Sequence, residues 1–260
     1  MIPKKIHYCW FGGNEKPQEI LQCYESWKKY CPDYEIIEWN EENFDVNLCQ
    51  YAAEAYKEKK WAFVSDYARI RILLEQGGIY MDTDVELIKP IDDLLNQEAF
   101  LGFEEGLGVN SGLIMGSIAG HRFLAEQESQ YKNYNFIKDG KLNLTSCVEY
   151  TTKLLVEHGL KIENSIQHVM GVTIYPIDYF SPLNMNTGAL NITENTYSIH
   201  RYAGSWASDS VRYGYHLKWK YIKKYGIKLG GFLYKIPYMY YIIKHDGIKA
   251  LICKIFQKMK

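Results

Sequence analysis

Two aspartates, Asp82 and Asp84, stand two residues apart where a brief apolar run, Ile79-Tyr80-Met81, follows the glycine pair Gly77-Gly78 and reaches polar sequence. In an extended strand, residues i and i+2 project from one face, so the two carboxylates are predicted to point at one ligand. Converging carboxylates repel unless something positive lies between them. A hard divalent cation held by oxygen is the usual partner, and two protein ligands leave positions open for water or substrate phosphates. A bare D-x-D is more often a solvated turn, so its neighbourhood decides. Immediately upstream, residues 61–76 carry Phe63, Tyr67, Ile70 and Leu74 at helical spacing, with Asp66 and Arg69 three apart on an adjoining face and Gly77 as a stop. Such an i,i+3 pair is commonly a surface ion pair. Here, however, the helix runs straight into the D-x-D segment, so one of its faces must lie close to the two aspartates.

The elements that must position these groups alternate. Residues 4–11 read as a buried strand, 16–30 as a helix, 34–39 as a strand and 46–59 as a helix. That order predicts an α/β fold with a mixed, largely parallel sheet flanked by helices. Beyond Asp84 the pattern gives an extended stretch over 85–88, a short helix over 91–95, a strand over 99–103, a glycine-bearing loop over 104–110 and a strand over 111–116. Amphipathic helices follow over 121–131 and 145–158, the second capped by Thr145 or Ser146. Strands over 172–176 and 197–202 end the body at His200-Arg201-Tyr202-Ala203-Gly204-Ser205-Trp206. A histidine at a late strand end is more often packed than metal-bound. No internal repeat or linker composition divides this stretch.

At 260 residues, 47% of them hydrophobic and 23% charged, the chain can bury one good core with a small appendage. The aromatic share, 15% with 23 Tyr and 6 Trp, suits a protein that handles sugar rings or lies against a membrane surface. Six scattered cysteines without a C-x-x-C pair argue against a disulfide framework or structural zinc and for a reducing compartment. The first residues lack the apolar core of a signal peptide, and no stretch is long and apolar enough to span a bilayer. The net charge of −1 conceals an asymmetry: residues 212–260 hold 12 Lys and Arg against one acid, Asp246, a net of +11, which leaves −12 on the body.

Four segments in order, Ile6-His7-Tyr8-Cys9-Trp10-Phe11-Gly12-Gly13, Ala62-Phe63-Val64-Ser65-Asp66-Tyr67-Ala68-Arg69-Ile70, Gly77 through Asp84, and His200 through Trp206, resemble the D-x-D sugar transferases of glycosyltransferase family 32. That family includes bacterial capsule-type polysaccharide transferases and yeast initiating mannosyltransferases. More distantly the pattern is similar to the catalytic domain of the large clostridial glucosylating toxins. The resemblance implies a GT-A fold, a nucleotide-diphosphate sugar donor bound with Mn²⁺ or Mg²⁺, and transfer of a hexose to a glycan hydroxyl with retention of configuration. It assigns catalytic roles to Asp82, Asp84 and Arg69. Donor contacts fall to Trp10, stacking on the base, and to Asp66, Arg69, Tyr80, Asp82, Ser205 and Trp206. Asp84 would ligate the metal, with Asp82 approaching its water shell and His200 reaching metal or diphosphate. Asn110 is either a sugar or base contact or a turn asparagine. A UDP-hexose is the preferred donor, because Trp10 and the double glycine behind it look like the toxin pattern. The implied setting is capsule, O-antigen or other surface polysaccharide synthesis.

The predicted division is therefore a transferase domain over residues 1–211 and a basic, aromatic helical extension over 212–260. Rings interleaved with lysines suit an anionic membrane surface, so the extension is expected to hold a cytoplasmic enzyme peripherally on the inner face of a membrane, beside a glycan acceptor carried on a lipid. A helical subdomain packed on the core would share that composition. Nucleic acid ranks lower, since nothing in the body reads bases. Two other functions compete. One is a catalytically inert sugar-nucleotide or glycan-binding protein with a decayed transferase fold, against which the intact Asp66, Arg69, Asp82 and Asp84 argue without excluding it. A D-x-D phosphohydrolase would carry the motif near its N-terminus, with Thr or Val where this chain has Glu86.

Overall fold

The computed structural model describes residues 1–204 and 208–250. The chain enters through strand β1 (Lys5–Cys9), helix α1 (Gln18–Tyr30), β2 (Glu35–Trp39), a 3₁₀ turn (Val46–Leu48), α2 (Gln50–Lys57) and α3 (Trp61–Gln76). It continues through β3 (Gly78–Tyr80), β4 (Val85–Leu87), a second 3₁₀ turn (Asp92–Leu95), β5 (Ala99–Phe103), β6 (Val109–Asn110), β7 (Met115–Ser117) and α4 (Arg122–Lys132). A hairpin of β8 (Ile137–Lys138) and β9 (Lys141–Leu142) precedes α5 (Cys147–Glu157), β10 (Gln167–Val169), β11 (Val172–Tyr175), the single turn α6 (Ile177–Phe180) and β12 (Ser198–His200). Last come α7 (Asp209–Tyr225), α8 (Ile227–Leu233) and α9 (Lys235–His245).

The central sheet runs β10-β11-β5-β7-β3-β1-β2, with β6 paired to β5. β1 is parallel to both β2 and β3, and β11 is parallel to β5. β7 is antiparallel to both β3 and β5, so β2, β1, β3, β5 and β11 all point one way. This is the mixed, largely parallel, helix-flanked sheet of the GT-A expectation, with one reversed strand in its middle.

Strand periodicity builds the core. Alternate side chains of β5 divide between the two faces: Ala99, Leu101 and Phe103 join the layer made with α2, α3, α4 and α5, whereas Phe100 joins the layer that includes Trp27 of α1 and Phe180 of α6. Ile79 and Tyr80 of β3 divide in the same way. α3 spans the predicted residues and ends at Gly77, whose φ is +64° and whose N–H donates to Leu73 O at 2.9 Å. A Cβ there would lie 2.8 Å from Ala119 N, and one on Gly78 (φ +100°) would meet His7 Nε2 and Lys5 O at 2.9 Å. Conformation and space both require the glycine pair.

Two compact units result: residues 1–182 with 191–201, and residues 183–190 with 202–260. The first contains the sheet. The second contains α7, α8 and α9, joined to the 183–190 segment where Trp219 Nε1 donates to Met185 O at 2.8 Å.

Candidate active site

Parallel strands bring their carboxyl ends to one edge of a sheet, where α/β folds bind ligands. Trp10 follows β1 and the D-x-D segment follows β3, which neighbours β1 in the same direction. The sequence predicts Asp82 and Asp84 as i and i+2 of an extended strand, but β3 stops at Tyr80 and the motif forms a turn, Val85 N donating to Asp82 O at 3.0 Å. The prediction fails because Asp is a turn former and its side chain competes for backbone hydrogen bonds. The carboxylates still converge, because tertiary contacts hold each one.

Asp82 is held from three sides. Its N–H donates to Gly112 O at 3.0 Å, and its Oδ1 accepts from Tyr80 OH and from Arg69 Nη2, each at 3.0 Å. Arg69 Nη2 also lies 3.0 Å from Asp66 Oδ1, and the guanidinium sits 4.8 Å from the Tyr80 ring centroid. With Arg69 only 2% exposed, Asp66 and Arg69 are not the surface pair that α3 spacing commonly signals but a buried pair, which the half-buried Asp82 joins through the same guanidinium. A planar fork can address two carboxylates at once, which an ammonium could not do with the same geometry. Burial pushes the Asp66 carboxyl up to about 6, opposed by Arg69 and reinforced by Asp82. Burial and the Asp84 charge likewise raise Asp82 despite the Arg69 cation.

Asp84 is positioned by strand pairing. β4 pairs antiparallel with β12, setting His200 opposite Val85, and Arg201 N donates to Asp84 O at 2.9 Å. Trp27 Nε1 donates to Val85 O at 2.7 Å and Leu87 N donates to Ser26 Oγ at 2.9 Å, tying α1 to the same strand. His200 Nε2 consequently lies 3.2 Å from Asp84 Oδ1. Burial works against the imidazolium, but Asp84, Asp82 and Glu104 together raise the His200 pKa. One ligand atom each from Asp82, Asp84 and His200 lies within 4.8 Å of the others. Two carboxylates and an imidazole suit a hard or borderline divalent ion such as Mg²⁺ or Mn²⁺. The residues therefore fit the cation that the motif implies.

The remaining expected residues differ in their surroundings. Tyr80, 1% exposed, braces Asp82 and Arg69. Asn110 has both ends engaged, its Nδ2 donating to Glu104 Oε2 at 2.9 Å and its Oδ1 accepting from Gly112 N at 2.6 Å. Trp10, half-buried at the same sheet edge, has its Nε1 donating to Asn14 O at 2.7 Å and Lys16 Nζ 5.6 Å from its ring centroid. Ser205 and Trp206 lie outside the described residues, as does the 251–260 end of the basic extension.

Three participants were not legible in sequence. Glu104, its carboxyl raised by burial, anchors Asn110. Gly112 must be glycine, because a Cβ would stand 2.1 Å from Asp82 Oδ2 and 2.9 Å from Arg69 Nη1. Cys147 at the start of α5 receives Arg69 Nη1 at 3.6 Å. The Ser111-Gly112 pair beside Asn110 was the one available signal, and nothing in the spacing of Glu104 or Cys147 pointed to the site.

Residues 17–101 match the family described as a glycosyltransferase sugar-binding region containing a DXD motif. The chain carries a glycosyltransferase sugar-binding region. Two of the four segments that carry the family resemblance fall in that region, with α3, Asp66, Arg69, Asp82 and Asp84 inside it, whereas residues 6–13 and 200–206 lie outside it. Inositol phosphoceramide mannosyltransferase 3 of Schizosaccharomyces pombe is 32% identical over 133 residues, covering 48% of this chain and 36% of that protein. Human alpha-1,4-N-acetylglucosaminyltransferase is 39% identical over 83 residues, covering 31% of this chain and 23% of that protein. The chain thus spans roughly a third or less of the length of these relatives. Among solved structures, a glycosyltransferase involved in glycosylation of the major capsid of PBCV-1 aligns over 80% of this chain and 96% of its own, at 12% identity and a TM-score of 0.44.

Proposed function

We propose that the protein is a metal-dependent, retaining glycosyltransferase that moves a hexose from a UDP-sugar to a glycan hydroxyl in surface polysaccharide assembly. The observation that carries this proposal is the convergence of His200 on Asp82 and Asp84 beside the buried Asp66–Arg69 pair, the four residues Asp66, Arg69, Asp82 and Asp84 lying within a glycosyltransferase sugar-binding region.

Breaking a sugar–phosphate bond develops negative charge on the departing diphosphate. Asp84, His200 and Asp82 would hold a divalent cation, which would supply Lewis-acid stabilisation of that charge. Arg69 and Tyr80 fix the Asp82 carboxylate, so its second oxygen is aimed before the donor arrives. Asp66 and Arg69 present a carboxylate acceptor and guanidinium donors to the hydroxyls of the donor sugar. Trp10, at the same sheet edge, offers an aromatic face to the base. Retention follows from attack by the acceptor hydroxyl on the face from which the diphosphate leaves, with no ester formed to the protein.

The acceptor is a glycan carried on a lipid, and the enzyme works on the inner face of a membrane. The basic, aromatic composition of residues 212–260 supports this part of the proposal.

The deciding test is release of nucleoside diphosphate from a panel of UDP- and GDP-sugars with Mn²⁺, comparing wild type with Asp84→Ala. Release from one donor, abolished by EDTA and by the substitution, is the expected result. Metal-dependent donor binding without turnover points to a missing acceptor, whereas no binding to any donor sinks the proposal. An inverted anomeric configuration in the product, read by NMR, or a trapped glycosyl-enzyme ester, would overturn the retaining mechanism.

A further inference from the structure

In the second unit, helix α9 packs with one face. Its Tyr241 stacks on Tyr213 of α7 at 3.8 Å between ring centroids, a Cβ on Gly214 of α7 would meet the Tyr238 ring at 2.7 Å, and Ile242 is 1% exposed. The opposite face of an ordinary surface helix is polar. Here it carries Ile236, Tyr240 and Ile243 at i, i+4 and i+7, exposed to 62%, 69% and 45%, with Met239 beside them. Phe232 of α8, 63% exposed, adjoins the start of this stripe, since Lys235 Nζ lies 5.9 Å from its ring centroid. A helix apolar on both its packed and its outward faces is suited to an apolar neighbour.

The surrounding charge says which neighbour. Lys235 and Lys244 bracket the stripe along α9, and Lys228 stands between exposed Ile227 and Leu229 on α8. Long ammonium side chains at the edges of an apolar strip can reach headgroup phosphates while their stems and the adjoining rings enter the acyl boundary. Residues 212–260 hold 12 basic residues against the single acid Asp246, which complements an anionic lipid surface. Among the described residues no helix is long and apolar enough to cross a membrane, and the length of α9 suits the surface of a bilayer.

We infer that the outward face of α9, with Phe232, is a bilayer-inserting surface specific for anionic lipid, its apolar residues entering the interface and Lys228, Lys235 and Lys244 engaging phosphates. This rests on the membrane setting proposed above and sharpens it from a charged tail to one helix face.

The experiment is vesicle co-sedimentation of the full chain, with phosphatidylcholine vesicles with and without phosphatidylglycerol. Ile236→Ser/Tyr240→Ser/Ile243→Ser and Lys228→Gln/Lys235→Gln/Lys244→Gln are run beside wild type. Circular dichroism and donor hydrolysis report folding. Wild type is expected to sediment with the anionic vesicles. The apolar triple variant should partition more weakly by about a thousandfold or more, from three large side chains no longer buried, even at low salt. The lysine variant should lose binding in a salt-sensitive manner. If the apolar variant sediments like wild type, the lysines alone hold the protein and the inserting face is wrong while the membrane setting survives. If wild type itself does not sediment, both fall. A wild-type dimer in solution, dissociated by the apolar substitutions and indifferent to vesicles, would assign the stripe to a second copy instead.

Discussion

Replacing Gly112 with Ala tests whether the site is organised around a fixed Asp82 carboxylate. Gly112 lies outside the positive-φ backbone region, so Ala adds only a methyl group. That methyl would stand 2.1 Å from Asp82 Oδ2, and the carboxylate has little room to yield while Arg69 and Tyr80 hold its other oxygen at 3.0 Å. Overpacking of this kind costs about 1–3 kcal/mol. For a domain of this size that corresponds to a Tm lower by about 3–9 °C. The larger effect falls on the cation, because a displaced ligand or its supporting bond typically weakens metal binding about 10–100-fold. Differential scanning fluorimetry across a Mn²⁺ titration reads both quantities: the metal-free Tm gives the strain, and the Mn²⁺-induced rise gives affinity through linkage. Nucleotide release at saturating donor gives the consequence for turnover. Gly231→Ala in α8 is the control, since a Cβ there meets nothing within 4 Å and a helix gains about 0.5–1 kcal/mol from the exchange. Wild-type Mn²⁺ dependence and turnover in Gly112→Ala would refute the claim that Asp82 is held in its observed place for metal binding.

Three further outcomes follow from the same geometry. Arg69→Met leaves the Asp66 and Asp82 carboxylates without their shared guanidinium and should cost about 3–5 kcal/mol in urea unfolding, part of it recovered in Asp66→Asn/Arg69→Met; equal destabilisation of the single and double variants would refute the buried Asp66–Arg69 pairing. Trp39 Nε1 donates to His7 Nδ1 at 3.1 Å, so Nε2 carries the proton given to Gly77 O at 3.0 Å, and burial lowers the His7 pKa from 6.5 to about 4. A depressed pKa in the folded state means this contribution is complete above pH 6.5 and is lost as pH falls toward 4, so wild-type Tm should decline over that interval more steeply than in His7→Gln. Glu104→Ala should lower kcat/KM about tenfold by releasing Asn110, and Glu104→Gln, which keeps an acceptor oxygen, should restore most of it; equal loss in both would show that the charge matters rather than the tether.

The features legible in the chain's residues are local. Apolar spacing defined α3 from Trp61 to Gln76, Gly77 marked its end, and two aspartates directly behind it marked the chemistry, because helix periodicity, glycine conformation and carboxylate repulsion all act within a few residues of chain. The strand–helix alternation also carried the class of fold, including the common direction of β1, β2 and β3. The tertiary structure decided which distant groups meet the motif. His200 reaches Asp84 through the register of β12 on β4, across more than a hundred residues, and no local pattern encodes a register between remote strands. Burial turned Asp66 and Arg69 from a helix-surface pair into a triad with Asp82, since solvent exclusion is a property of packed layers and not of spacing. Glu104, Gly112 and Cys147 entered the site for the same reason: each becomes meaningful only at the distance at which it touches Asn110, Asp82 or Arg69.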